Sequence, residues 1–273
     1  MSSQREYCGE SYSSLILFYA LLIFLSAFAA FLHEYVHLPI DVLYTLLVMY
    51  AIFFSKIIEK WNLRYLGIYI SYSSIVFFSL GLSLGFFLIL IIFLSAYFLG
   101  EFNVYYVGIP SYLILLRHIL LFFLIGFSEE LIFRAYPIRK LIYEIGTTRS
   151  IIASALIFAL FHAPNTGFNI LALINLLILG SLLGLLYIYT NNVFIITGFH
   201  MGWNFFQGII LGLPVSGFQY KDTFLKTIPV NSSISLTGGS FGLEASILTT
   251  IIASLSLLIL IIISRNLLKN RRM

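Results

Sequence analysis

The sequence predicts an all-α protein, a polytopic integral membrane bundle of about eight transmembrane helices, and three observations carry that prediction. Of 273 residues, 60% are hydrophobic and only 10% charged, with a mean hydropathy of +1.02; soluble domains do not reach such values. The apolar residues fall into runs of about 20, the length that crosses a hydrocarbon core. The basic residues gather on one side of the arrangement those runs imply.

In chain order the predicted spans lie near 12–32, 40–58, 70–99, 112–138, 149–162, 169–190, 193–211 and 243–264, the fifth and seventh rather short. The first ten residues are polar and the next run is long enough to span, so the chain from Ser11 reads as a retained helix and not a cleaved signal. Cys8 is the only cysteine, which leaves no internal disulfide. An even number of spans puts both termini on one side. Arg5, Lys56, Lys60, Arg64, Arg139, Lys140, Arg149, Arg265, Lys269, Arg271 and Arg272 share that side, against Lys221 and Lys226 on the other. By the positive-inside rule the termini are cytoplasmic, in a multi-pass protein of the cell membrane. The net charge of +4 is thus topology, and the composition implies a bilayer and no nucleic-acid partner. No repeat or linker divides the chain, so 1–273 reads as one membrane domain.

Connections and spacings add local expectations. Trp61–Gly67 is amphipathic and reads as an interfacial lead-in to the third span. Gly81-x-x-x-Gly85 and Gly180-x-x-x-Gly184 permit close helix contacts. His33-Glu34-Tyr35-Val36-His37 has the H-E-x-x-H spacing of zinc proteases, but Pro39 ends the helix at once and no clear third ligand follows. Glu244 fits the first turn of the last helix, where a carboxylate offsets exposed N–H groups. The Gly-rich stretch before it lacks a P-loop lysine.

Charge inside the membrane points to a site, because each intramembrane carboxylate costs about 2.5–3.5 kcal/mol on insertion scales. Ser128-Glu129-Glu130-Leu131-Ile132-Phe133-Arg134 holds two. Glu130 and Arg134 are four apart on one helical face and can pair. Glu129, rotated by about 100°, lacks that partner and suits a general base. His162 ends the fifth span, and His200 and Asn204 share a face of the seventh. With a 1.5 Å rise per residue, Glu129 lies roughly 15 Å, His162 roughly 20 Å, and His200 and Asn204 about 11 and 17 Å from the cytoplasmic ends of their helices. Three helices therefore bring polar groups to one level.

A carboxylate beside an imidazole can deprotonate a water, and a His–Asn pair offers two N–H donors to an oxyanion. Together they could hydrolyse an amide without a nucleophilic Ser or Cys and without cofactor or metal. Alternatives stay open: zinc held by His162, His200 and Glu129 with Glu130 as base, a non-catalytic immunity or scaffold protein, or a proton-coupled transporter.

Glu129-Glu130-x-x-x-Arg134, Phe158-x-x-x-His162 and His200-x-x-x-Asn204, in that order, resemble the signature of the CAAX protease and bacteriocin-processing family, which includes type II CAAX prenyl endopeptidases and Abi-type proteins. The loop Thr237-Gly238-Gly239-x-Phe241-Gly242 before the last helix resembles a feature of its bacterial members. The resemblance implies an eight-helix intramembrane glutamic endopeptidase open to the cytoplasm. In it Glu129 and His162 would activate water, His200 and Asn204 would stabilise the oxyanion, and Glu130 with Arg134 would support the site. The implied substrate is a peptide or lipidated protein in the membrane.

Overall fold

A computed structural model describes residues 12–230 and 233–270. Arg5, Cys8, Arg271 and Arg272 lie outside the described residues, as do the side chains of Arg265 and Lys269. The main helices are α1 (Tyr12–Val36), α2 (Ile40–Phe53), α3 (Tyr72–Phe98), α4 (Tyr112–Glu130), α5 (Tyr136–Ile145), α6 (Thr147–Phe161), α7 (Ile170–Thr190) and α8 (Val193–Phe205). A short α9 (Ile234–Thr237) precedes α10 (Ile247–Asn270). Strands β1 (Phe102–Tyr106) and β2 (Leu225–Pro229) pair antiparallel and are the only strands among the described residues.

The chain is thus an all-α polytopic membrane bundle. Among the described residues, seven helices are long and apolar enough to cross a membrane, α4 and α5 forming one of them as a continuous rod, Tyr112–Ile145. The fifth expected span, 149–162, corresponds to α6, whose 15 residues fall short of a full crossing.

The rod is continuous but not uniform. Leu131–Ala135 is wound as a π-helix, and the Tyr136 N–H reaches back to the Leu131 carbonyl. Pro137 follows at the start of α5. Having no N–H, it leaves upstream carbonyls without their helical donor. Two side chains serve instead: the Tyr19 hydroxyl donates to the Ile132 carbonyl at 3.0 Å, and the Ser154 hydroxyl donates to that of Phe133. One wide turn thereby ties the rod to α1 and α6.

Close backbone approach fixes α8, the most enclosed of the long helices, against α3. A Cβ on Gly81 would fall 1.9 Å from the Ile195 carbonyl, and one on Gly85 2.1 Å from that of Phe199. The contact is reciprocal, because Gly198 and Gly202 press on the Phe78 and Leu82 carbonyls in the same way. The expected contact at Gly180 and Gly184 is also present, against Ala155 and Ile151 of α6.

Two local readings change. Trp61 and Leu66 are buried in the bundle, and the connection is a 3-10 turn, Leu63–Leu66, capped by Asn62. Glu244 does not begin the last helix. It sits in a separate turn, Leu243–Ala245, and is buried at 3% exposure, because its carboxylate bonds to side-chain and loop donors elsewhere in the bundle. At the first span's end, α1 stops at Val36 and His37 is left-handed (φ 56°), so His33 and His37 do not share a helical face.

Candidate functional site

The polar residues predicted to share a depth converge on one cavity. Its volume is about 260 Å³, and α1, α2, α4, the end of α6, α8 and the loop after α8 enclose it. Glu129, His162, His200 and Asn204 line it; Glu130 and Arg134 stand behind them, fully buried.

Glu130 Oε1 accepts from Arg134 Nη1 at 3.0 Å and from His200 Nδ1 at 2.8 Å. The guanidinium also stacks on Phe158, 3.8 Å from its ring centroid. Space for it exists because Gly180 has no side chain: a Cβ there would stand 3.3 Å from Arg134 Nη2. Gly126 likewise admits α8 close to α4, since a Cβ there would lie 3.2 Å from the Thr197 carbonyl and 3.4 Å from the His200 Cβ. The pair fixes the imidazole of His200, since a carboxylate paired to arginine only accepts, so His200 carries a proton on Nδ1.

His162 is fixed in the same sense. It caps α6, which stops there with Pro164 following, and its Nδ1 lies 2.8 Å from the Phe158 carbonyl. A carbonyl only accepts, so Nδ1 holds the proton and Nε2 faces the cavity with a lone pair. That Nε2 is 4.0 Å from Glu129 Oε2, and His200 Nε2 is 3.6 Å from the same oxygen. Glu129 Oε2 is buried and accepts no hydrogen bond among the described residues.

Residues 110–206 match the family model described as Rce1-like, type II CAAX prenyl endopeptidase. This stretch resembles that family. All six residues singled out from the sequence fall inside the Rce1-like stretch, which spans little more than a third of the chain. The chain therefore resembles a membrane peptidase of the CAAX type. Comparison with curated proteins gives no match, and comparison with solved structures gives none. Among the described residues, no group of three or more His, Cys, Asp or Glu is arranged to hold a metal ion.

Other cavity residues escaped the sequence reading. Tyr44, Asn165, Ser216, Phe218 and Tyr220 complete the walls. Asn165 lies three residues beyond His162, a signal that was present, and its Nδ2 donates to the Ser216 carbonyl at 2.8 Å. The others arrive through long-range packing with no local pattern. Outside the spans, burial raises the Tyr220 hydroxyl above its usual pKa, and negative charge on Glu129 adds to the shift.

Proposed function

We propose that this protein is an intramembrane glutamic endopeptidase that cleaves a membrane-associated peptide or lipidated protein without a metal. The observation that carries the reading is the pairing of two acceptors, Glu129 Oε2 and His162 Nε2, across 4.0 Å at the cavity. Two facing acceptors call for a donor between them, and a water can give one hydrogen to each. Its remaining lone pair is then free to attack a carbonyl.

In this scheme Glu129 takes the water proton as hydroxide adds to the scissile carbonyl. The Asn204 amide and His200 Nε2 stabilise the oxyanion; His200 serves there only as imidazolium, because its Nδ1–H is already committed to Glu130. Glu129 then returns the proton to the leaving amine as the C–N bond breaks. Glu130 and Arg134 hold His200 in orientation. Glu130 does not line the cavity, which disfavours its use as the base of a zinc enzyme. The substrate class comes from the Rce1-like resemblance, a prenylated C-terminal peptide being the first candidate. The bias of cations toward one side supports cytoplasmic termini, and the chain reads as a single membrane domain.

The test is cleavage of prenylated and other membrane-associated peptides by purified, chelator-washed protein, beside Glu129→Gln and His200→Ala. Turnover by the wild type in chelator, lost in both variants, is expected. Turnover that disappears with chelator and returns with zinc overturns the metal-free mechanism, and an active Glu129→Gln overturns the assignment of the base.

A further inference from the structure

A second carboxyl group is built into the protein behind the cavity. Glu244 lies outside the Rce1-like stretch, yet a small space of about 40 Å³ joins it to Arg134, His200, Asn204 and Ser216. Its Oε2 accepts from Gln207 Nε2 at 2.6 Å, and its Oε1 faces the Ser216 N–H at 3.3 Å. The same Gln207 Nε2 also donates to the Pro214 carbonyl at 2.5 Å, which fixes the orientation of the amide. Gln207 therefore bridges the carboxylate to the Pro214 backbone.

What is held is a tight turn. Val215 and Phe218 exchange both backbone hydrogen bonds at 2.9 Å, and the two residues between them, Ser216 and Gly217, have φ of 46° and 91°. Left-handed conformation at both central positions is the pattern of a type I′ turn. Val215, Ser216, Phe218 and Tyr220 form one wall of the 260 Å³ cavity. Gly242 allows the convergence, since a Cβ there would lie 2.2 Å from the Pro214 carbonyl and 2.7 Å from Glu244 Oε2.

We propose that Glu244 is a positioning residue of the site: its carboxylate, acting through Gln207 and Ser216, holds the Pro214–Phe218 turn in place as a wall of the substrate cavity. The chemistry of the contacts makes the latch depend on charge. All its partners present donors, so an added proton puts an O–H against a donor. The Gln207 Oε1, buried and unpartnered among the described residues, could take that O–H if the amide flips. The flip withdraws Nε2 from Pro214 and releases the turn. Burial pushes the Glu244 carboxyl up to about 7, against its hydrogen bonds to Gln207 and Ser216, so the change falls near neutral pH. The charged or titratable groups around it are Tyr220, Arg134 and His200; Asn175, Trp203, Gln207 and Ser216 are neutral.

Only the kinetic part of the test rests on the peptidase reading. With Cys8→Ser and Gln219→Cys as background, a nitroxide on the exposed residue 219 reports turn mobility without any substrate. Expected is an immobile label in the wild type at pH 8.5 and a mobile one at pH 5.5, with Glu244→Gln mobile at both. Gln207→Met, which keeps volume and removes the bridge, is expected to match Glu244→Gln and serves if that variant does not fold. Against a cleaved peptide, KM should rise about tenfold in either variant with kcat within about twofold, the scale of one lost charge-assisted bond. Label mobility at pH 8.5 equal to the wild type in both variants overturns the proposal whether or not the protein cleaves anything. A fall in kcat at unchanged KM overturns it as well.

Discussion

The guanidinium of Arg134 lies 3.8 Å from the ring centroid of Phe158 while it donates to Glu130 from the same buried position. Phe158 in turn offers its carbonyl to His162. One arginine therefore organises both imidazoles, His200 through Glu130 and His162 through the ring it packs on. Arg134→Met is expected to destabilise the fold by about 3–5 kcal/mol, since it strands the buried Glu130 charge. Thermal melting in detergent checks this.

Glu129 and Glu130 should part in behaviour despite being neighbours. Glu129→Gln is expected to lower turnover by about 10²–10⁴-fold with an unchanged melting temperature. Glu130→Gln should lose stability and turnover together, because it weakens bonds to Arg134 and His200 at once. Measuring cleavage and melting on the same preparations separates them.

Much of this was legible in the chain. Hydropathy located the long helices, and the four-residue spacing of Glu130 and Arg134 anticipated their ion pair. The Gly198–Gly202 spacing equals that of Gly81–Gly85, but which helix each pair presses against is a long-range property that spacing does not carry: the two pairs meet across α3 and α8. Glu244 was misplaced for a different reason. Its partners Gln207 and Ser216 are 37 and 28 residues away, and a rule about helix ends cannot see contacts at that range.

Close glycine packing sets the position of His200. Gly198→Ala would place a Cβ 2.2 Å from the Phe78 carbonyl. It is expected to cost about 1–3 kcal/mol by overpacking and to lower turnover by displacing α8. A melt alongside kinetics with saturating peptide tests both effects.

Ser154 has no atom in the cavity, yet its hydroxyl serves the Phe133 carbonyl in the wide turn. Ser154→Ala should destabilise by about 1–3 kcal/mol, the cost of a buried acceptor left bare. Ser154→Thr, which keeps the hydroxyl, should recover part of it if the added methyl fits. Denaturant or thermal unfolding of the pair gives the comparison.

The wide turn between Glu130 and Tyr136 also bears on how this region can change by insertion or deletion. Adding one residue to Leu131–Ala135, which is already wound wide, would turn α5 by about 100° relative to Glu129. Arg139 would leave Tyr187 and Asn191, and Lys140 would leave Glu59. A change in length moves every downstream contact at once, so the number of residues in this segment is held as strictly as the identity of Arg134.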